Sequence, residues 1–207
     1  MNKIDYEKER KKQMQEHKGR RLLLHSCCAP CSSGVLYRLI DDFDITVYFY
    51  NPNMDSEEEY QKRAKEQERY LQEEFKNKVN LVIPPYNKDE FLTAVKGLES
   101  EPEGGARCEK CFRVRFASCV KYAEENGFDF FTTTLTVSPY KNATLINSIG
   151  EDVCKGSSVN WLYCDFKKDN GYLKSIENSK KHNLYRQDYC GCEFSLDQAI
   201  KRRKDRL

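Results

Sequence analysis

The sequence predicts an α/β fold, a single domain in which a parallel sheet of about five strands carries helices on both faces. Apolar runs rich in β-branched and aromatic residues alternate along the chain with segments of helical periodicity, as in parallel sheets with right-handed crossovers. No internal repeat or linker interrupts this alternation, and 207 residues are enough for one sizeable domain. We place the domain at residues 21–207, after a basic polar extension over residues 1–20.

Five segments have the composition of buried strands. The first is the apolar run RLLLHS, and the second, DITVYFYN, is rich in β-branched and aromatic residues. The third strand is predicted within VNLVIPPY, the fourth within FDFFTTTL and the fifth within NWLYCDF. The predicted strands cover residues 21–26, 44–51, 79–86, 128–135 and 160–166.

Helical patterns fill the segments between these strands. Ser56 and Glu59 form a capping-box pattern at the start of a long charged helix. Ser138 is predicted to cap a later helix, with Pro139 in its first position. The predicted helices cover residues 32–42, 56–75, 88–98, 108–125 and 138–154, and weaker patterns cover 171–181 and 195–205.

Polar segments follow three of the predicted strands. They are SCCAPC after the first strand, NPNMDS after the second and TVSPYKN after the fourth. In parallel sheets of the Rossmann-like or nucleotide-hydrolase-like kind, ligands bind beyond the carboxyl ends of the strands, near the point where the strand order reverses. We therefore expect these three segments to surround one crevice.

The composition is that of a globular protein with a strongly charged surface. Charged residues make up 33% of the chain and apolar residues 39%, and the apolar runs are too short for a membrane span. The charged N-terminal segment lacks the apolar stretch of a secretory signal, so we expect a cytoplasmic protein with no membrane partner. Thiols stay reduced in that compartment, and ten cysteines then indicate metal binding or redox chemistry rather than a disulfide framework.

The small net charge of +2 is unevenly distributed along the chain. Residues 1–21 contain eight Lys or Arg against four Asp or Glu, and residues 201–207 contain five against one. Two interpretations remain open. The ends are either solvated and frayed, or they form an electrostatic contact with a polyanion such as RNA.

Cys108 and Cys111 form a C-x-x-C motif at the predicted start of a helix. The helix dipole and the neighbouring Arg107 and Arg113 favour thiolates there. Such a pair supplies half of a four-thiolate site. The nearest candidates for the other half are the adjacent cysteines of the CC pair, residues 27–28, at the end of the first strand.

Four thiolates bind either a structural zinc ion or an iron–sulfur cluster. Zinc sites usually combine two units whose cysteines are separated by a few residues, whereas the side chains of Cys27 and Cys28 are expected to diverge on an extended chain. The spacing therefore favours a cluster over zinc, and zinc stays open as an alternative.

Cys190 and Cys192 flank Gly191 near the C-terminus. Cα atoms two residues apart on an extended chain are about 6.6 Å apart, near the upper limit for a disulfide, and the glycine allows the chain to bend. Because a strained disulfide is easily reduced, the pair is interpreted as redox-active or as two ligands of a second metal ion. Two incidental thiols are the remaining interpretation.

The other crevice candidates have two interpretations each. Cys31 either faces the crevice or simply begins the next helix, and His25 is either a proton donor or a buried, hydrogen-bonded histidine. Asn51 and Asn53 are either crevice residues or turn formers. Three further cysteines are expected to pack in the core: Cys119, Cys154 and Cys164.

Five segments recur in a known combination: LLLHSCCAPCSSG, YFYNPNMDSEEEYQKR, RCEKCFRVRF, TTTLTVSPYKN and LYRQDYCGCEFS. Together they extend over about residues 22–196, and CCAPC, C-x-x-C and Y-C-G-C in this order are specific. In these segments the chain resembles the cobalamin-independent epoxyqueuosine reductases, the QueH family. The resemblance implies an oxidoreductase that removes the epoxide oxygen of epoxyqueuosine at the wobble position of a tRNA anticodon, which gives queuosine.

The same resemblance implies the cofactor and its ligands. A [4Fe–4S] cluster would be held by four cysteines: Cys27, Cys28, Cys108 and Cys111. The catalytic, redox-active pair would be Cys190 and Cys192. The family is also associated with an additional metal ion, here one additional iron, whose candidate ligands are Cys190, Cys192 and Cys31. An unidentified electron donor would supply the electrons.

The implied reaction fits these residue types. Reduction of an epoxide to an alkene takes two electrons and two protons and releases water. Because a cubane passes one electron at a time, a dithiol or a second iron beside it would provide a second store of electrons. A Lewis-acidic iron could also polarise the epoxide oxygen.

Two other functions fit parts of the sequence. An ATP-dependent, iron–sulfur tRNA-thiolating enzyme needs a loop of the S-G-G-x-D-S type after the first strand, where this chain has HSCCAPCSS. A zinc-stabilised RNA-binding module without catalysis is the second alternative. The brown colour of an iron–sulfur protein would exclude it.

Overall fold

The computed structural model describes residues 4–76 and 78–204, apart from the side chain of residue 202. Its sheet consists of β1 (Arg21–His25), β2 (Asp44–Tyr48), β3 (Asn80–Val82), β4 (Phe130–Thr133) and β5 (Asn160–Trp161). The strands pair in the order β3-β2-β1-β4-β5, and every pairing is parallel. The predicted α/β fold with a five-stranded parallel sheet is therefore confirmed.

Eight α-helices lie within the described ranges. They are α1 (Tyr6–Glu16), α2 (Ala29–Val35), α3 (Glu57–Phe75), α4 (Lys88–Val95), α5 (Ala106–Glu125), α6 (Ala143–Cys154), α7 (Gly171–Lys181) and α8 (Glu193–Lys204). Two 3-10 turns, Leu36–Arg38 and Thr134–Val137, follow α2 and β4. No helix among the described residues is long and apolar enough to cross a membrane.

The central strand shows why helices must cover both faces of the sheet. Leu22, Leu23 and Leu24 in β1 are all fully buried. Successive side chains of a strand point to opposite faces, so three consecutive buried leucines need apolar partners on each side. Strand order reverses between β1 and β4, which places the expected crevice at the carboxyl ends of these two strands.

The predicted N-terminal extension is helical and packed over residues 6–16. The Asp5 side chain accepts hydrogen bonds from two backbone N–H groups in the first turn of α1. Gln13 bridges to the edge of the sheet, since its amide donates to the Trp161 carbonyl (3.0 Å) and accepts from the Tyr163 N–H (2.9 Å). The interpretation of a frayed end is thus wrong for this helix. Residues 1–3 and 205–207, which also belong to the basic ends, lie outside the described residues.

The predicted start of α6 needs correction. Helix α6 begins at Ala143 and not at Pro139, because Asn142 is its N-cap and accepts a hydrogen bond from the Leu145 N–H (3.2 Å). Ser138 instead ends the 3-10 turn that follows β4. Residues 139–141 therefore connect the 3-10 turn to α6. The Ser56 cap of α3 is confirmed, with its hydroxyl accepting from the Glu59 N–H (3.2 Å).

Candidate metal centre

Three thiols converge at the junction of β1 and α2. The sulfur atoms of Cys27, Cys28 and Cys31 all lie within 4.8 Å of one another, and we call these residues the thiol triad. Helix α2 begins directly after Cys28, so Cys31 lies in its first turn. Cys31 therefore begins the helix and also contributes its sulfur to the thiol triad. The expected divergence of Cys27 and Cys28 is wrong, since their sulfurs are 3.8 Å apart. Metal–sulfur bonds of about 2.3 Å in a tetrahedral site would place two sulfurs about 3.8 Å apart.

A network of buried hydrogen bonds holds the loop that carries the triad. The Ser26 and Ser32 hydroxyls both donate to the Gln67 side-chain oxygen on α3, each at 2.8 Å. On the β4 side, the Thr134 hydroxyl lies 3.4 Å from the Cys27 backbone nitrogen. These contacts fix the loop between β1 and α2, because a buried hydroxyl that leaves its acceptor loses a hydrogen bond without regaining water.

Four further thiols line one narrow cavity, and we call them the thiol quartet: Cys108, Cys111, Cys190 and Cys192. The first two come from the N-terminal turns of α5 and the last two directly precede α8. The Gly104 N–H donates to the Cys108 sulfur at 3.2 Å. Asn53 also lines the cavity, and its buried side-chain oxygen has no hydrogen-bond partner in the described part of the chain.

Glycine is required between the last two thiols. Gly191 has φ of +121°, a backbone conformation that other residues rarely adopt. A Cβ atom there would lie 3.0 Å from the Met54 sulfur and 3.2 Å from a guanidinium nitrogen of Arg63. The bend therefore holds Cys190 and Cys192 against the loop after β2. Both are free thiols, as are the other eight cysteines.

A buried guanidinium lies between the triad and the quartet. Arg115 on α5 is 1% exposed and donates to the Asn51 side-chain oxygen (2.6 Å), the His25 Nε2 (3.2 Å) and the Cys111 sulfur (3.9 Å). Burial alone would lower the pKa of Arg115, but its interactions with Cys111, Cys27 and Cys190 raise it. The arginine thus interacts with thiols of both groups, and none of these contacts is with a carboxylate.

The arginines expected to favour thiolates have other roles. Arg107 donates to backbone carbonyls of the loop before α5, including that of Glu99 (2.8 Å). Arg113 forms ion pairs with Glu109 (3.2 Å) and Asp152 (2.7 Å). Sequence reasoning missed Arg115, although its position four residues after Cys111 on one helix was a signal that the two side chains meet.

His25 is a buried structural histidine. Its Nδ1 lies 2.7 Å from the Thr133 hydroxyl, and its Nε2 faces the Arg115 Nε–H at 3.2 Å. The Tyr50 carbonyl also lies 3.2 Å from Nε2, so this nitrogen faces both a donor and an acceptor. Burial and the neighbouring Arg115 lower the pKa of His25 to about 3. The ring therefore stays neutral and positions Arg115.

Lys141 brings an ammonium group to the quartet. It is 9% exposed, and its Nζ lies 3.3 Å from the Cys190 sulfur and 3.2 Å from a Glu103 carboxylate oxygen. Burial lowers the pKa of Lys141, but the interactions with Cys190, Glu103 and Cys108 outweigh this and raise it. Nothing in the motif spacing singled out this lysine, because its contacts come from three separate segments.

The thiols differ in acidity. Hydrogen bonds from Cys28 and Cys31 lower the pKa of Cys27 well below that of an ordinary thiol, and Arg115 adds to this. Cys28 and Cys31 donate these hydrogen bonds to Cys27, and this raises the pKa of both donors. Burial raises the pKa of Cys111 to about 12, so the expected thiolate is not favoured at this position in the protein alone.

The remaining predictions concern Asn51, the three polar segments and three core cysteines. Asn51 donates from its amide to the Ser26 carbonyl (2.9 Å), so it links the loops after β1 and β2. Of the three segments expected around one crevice, the loop after β2 lines the thiol cavity through Asn53, the loop after β4 contacts Cys190 through Lys141, and the loop after β1 is not part of that lining. Core packing is confirmed for three cysteines: Cys119, Cys154 and Cys164.

A larger groove lies elsewhere on the molecule. It has a volume of about 760 Å³ and runs between α4 and α5. Its lining includes Glu90, Ala117 and Lys121, and no cysteine is among the described residues that line it. The candidate metal centre is therefore the group of thiols and not this groove.

Comparisons with known proteins show the family of this chain. A family model described as Epoxyqueuosine reductase QueH matches residues 22–198. Proteins named Epoxyqueuosine reductase QueH from Staphylococcus epidermidis and Staphylococcus aureus are 44% and 46% identical, covering 96% and 86% of this chain and 87% and 76% of their own. The one from Thermotoga maritima is 34% identical over 84% of this chain and 90% of its own. This chain therefore belongs to the epoxyqueuosine reductase QueH family of oxidoreductases.

Proposed function

We propose that this protein reduces the epoxide of epoxyqueuosine in tRNA to the alkene of queuosine. The observation that carries the proposal is the arrangement of seven thiols on two sides of the buried Arg115 in a member of this family. Two electrons and two protons enter the substrate, the two carbon–oxygen bonds of the epoxide break and the oxygen leaves as water.

The thiols suit an iron–sulfur cofactor. Thiolates are the usual ligands of a [4Fe–4S] cluster, which supplies single electrons when bound. The proposed ligands are Cys27, Cys28, Cys108 and Cys111. The grouping of the sulfurs offers a second set, in which the thiol quartet holds the cluster and the thiol triad holds a single additional iron. The unpaired Asn53 oxygen in the cavity wall supports a further occupant beside the thiols.

The two buried cations have distinct tasks in this proposal. Arg115 offsets the negative charge of thiolates in a dry environment, since each thiolate is costly to bury without a counter-charge. Lys141 holds a proton at Nζ beside the Cys190 sulfur, where an oxygen that gains negative charge would meet a hydrogen-bond donor. Their positions, between and beside the thiols, orient the reacting groups and exclude bulk water.

Cys190 and Cys192 are proposed as the catalytic pair. In the reduced form they would supply two electrons by forming a disulfide, and Gly191 provides the bend that such a bond needs. As an alternative they would bind the additional iron together with Cys31. The electron donor that restores the reduced state is an unidentified partner.

The test is conversion of the substrate by the purified protein. Anaerobically reconstituted protein with a strong chemical reductant is expected to convert epoxyqueuosine-containing tRNA to queuosine-containing tRNA without ATP or cobalamin, as measured by mass spectrometry of nucleosides. Incorporation of sulfur into tRNA in the presence of ATP would favour the thiolating enzyme instead. If the purified protein contains zinc in place of iron and converts no substrate, the RNA-binding module is favoured.

A further inference from the structure

Tyr140 presents its ring to solvent and directly precedes Lys141, the residue that contacts Cys190 of the thiol quartet. Its side chain is 82% exposed, the highest value among the large apolar side chains of the described residues. Within residues 4–76 and 78–204, its side chain has neither a hydrogen bond nor a ring contact. A single exposed aromatic residue is ordinary on a protein surface, so the argument depends on how this one is held.

The backbone that carries the ring is fixed by its neighbours. The Ser138 hydroxyl accepts from the Tyr140 N–H, and the Ser138 carbonyl accepts from the Lys141 N–H, both at 3.3 Å. Asn142 then caps α6 through its side chain. Three consecutive attachments hold this short connection, so the ring is presented from a rigid turn and needs little ordering when it binds a partner.

The next residue ties the turn to the reactive cavity. Lys141 points inward and reaches the Cys190 sulfur, whereas Tyr140, whose Cα is about 3.8 Å away along the chain, points outward. The ring is therefore carried by the same turn that brings Lys141 to the Cys190 sulfur, where the proposed chemistry takes place.

We propose that Tyr140 is a stacking platform for a nucleobase that flanks the modified base in the anticodon loop, an inference that rests on the proposed function. A modified base that reaches into the cavity leaves the base stack, and its neighbours then expose a free face. Proteins bind such single-stranded RNA bases on aromatic rings. A phenol ring on a hydrogen-bonded turn whose next residue contacts Cys190 matches that need.

Binding of an anticodon stem-loop RNA that carries epoxyqueuosine tests this role. Tyr140→Ala is expected to weaken binding by about fivefold to 150-fold, the range for loss of one stacked base. Tyr140→Phe keeps the ring and is expected to bind within about twofold of the wild type. Leu173→Ala, which removes another exposed apolar side chain (54% exposed), is the matched control and is expected to have no effect.

Abasic RNAs make the test specific for stacking. Removing the flanking base that stacks on Tyr140 is expected to weaken binding by the wild type, while Tyr140→Ala then causes no further loss. The iron content and thermal unfolding of Tyr140→Ala are expected to match the wild type. Three results would each overturn the inference. They are an unchanged affinity of Tyr140→Ala, an equal loss of affinity in Tyr140→Phe, and a loss of affinity in Tyr140→Ala that stays the same whichever flanking base is removed from the RNA.

The outcomes also separate this inference from the proposed function. A wild-type protein that neither binds nor converts the RNA contradicts the proposed function itself. Conversion by the wild type together with full binding by Tyr140→Ala contradicts only the stacking role.

Discussion

The thiol triad and the thiol quartet each bring several cysteines together, but they form in different ways. The triad comes from five consecutive positions at one strand–helix junction, and its sulfurs are already within 4.8 Å of one another. The quartet combines the start of α5 with the segment before α8, which are far apart in the sequence. The triad is therefore formed by local backbone geometry, whereas the quartet forms only when the C-terminal segment docks.

The docking of that segment has identifiable contacts. The Asp55 N–H donates to the Gly191 carbonyl (2.8 Å), and the Tyr189 hydroxyl donates to the Asp55 carboxylate (3.1 Å). Lys88 at the start of α4 forms an ion pair with Glu193 (3.1 Å). Changes on the C-terminal side should therefore affect the quartet and leave the triad intact, and the predictions below test this difference.

Loss of a cluster ligand has the largest expected effect. Cys108→Ala is expected to abolish iron–sulfur incorporation, because three thiolates leave one corner of the cluster without a protein ligand. The measurement is iron and sulfide content with visible absorbance after anaerobic reconstitution. Cys119→Ala, which removes a fully buried core thiol, is the control and should retain the cluster. Full iron content in Cys108→Ala would disprove the ligand assignment.

A second pair of variants distinguishes the two ligand sets. With the proposed set, Cys28→Ala loses the cluster, whereas Cys192→Ala keeps the cluster spectrum and loses turnover. The reason is that Cys192 would serve the catalytic pair or the additional iron and not the cluster. The opposite result, a bleached Cys192→Ala and a coloured Cys28→Ala, would assign the cluster to the quartet. Full activity of Cys192→Ala would make that residue a structural thiol.

The bend at Gly191 is expected to be important for stability. Gly191→Ala should lower the free energy of unfolding by about 2–5 kcal/mol, because a strained φ adds to crowding against the Met54 sulfur. The measurement is denaturant unfolding of the anaerobic protein. Gly97→Ala is the matched control: φ there is +81° with no atom within 4 Å of the added Cβ, so about 1 kcal/mol is expected. Equal losses in both variants would show that crowding at Gly191 is unimportant.

The smallest predicted effect concerns the support of the triad. Gln67→Ala removes the acceptor of the Ser26 and Ser32 hydroxyls and should cost about 1–3 kcal/mol in unfolding free energy. Gln72→Ala on the exposed side of the same helix should change it by less than about 0.5 kcal/mol. Indistinguishable unfolding curves for the two variants would contradict a structural role for this network.

The triad and quartet also differ in how far they could be predicted. Cys31 was ambiguous only because the start of α2 was predicted three residues too late, an error of local capping. For the quartet, each motif was visible in the sequence, but its partner was not. The sequence predicts the CC pair at the end of β1 as the other half of the C-x-x-C site, and the cavity that C-x-x-C lines also contains Cys190 and Cys192.

By itself, the sequence determined the order of strands and helices along the chain, the parallel sheet, the family and the cysteine motifs. Periodicity, capping and turn residues act within a few positions along the chain, so they are visible without the fold. Only the tertiary structure decided that Arg115 lies between the two thiol groups, that Lys141 reaches Cys190 and that Asn142 begins α6. Such contacts result from the packing of distant segments into one core, which no local pattern specifies.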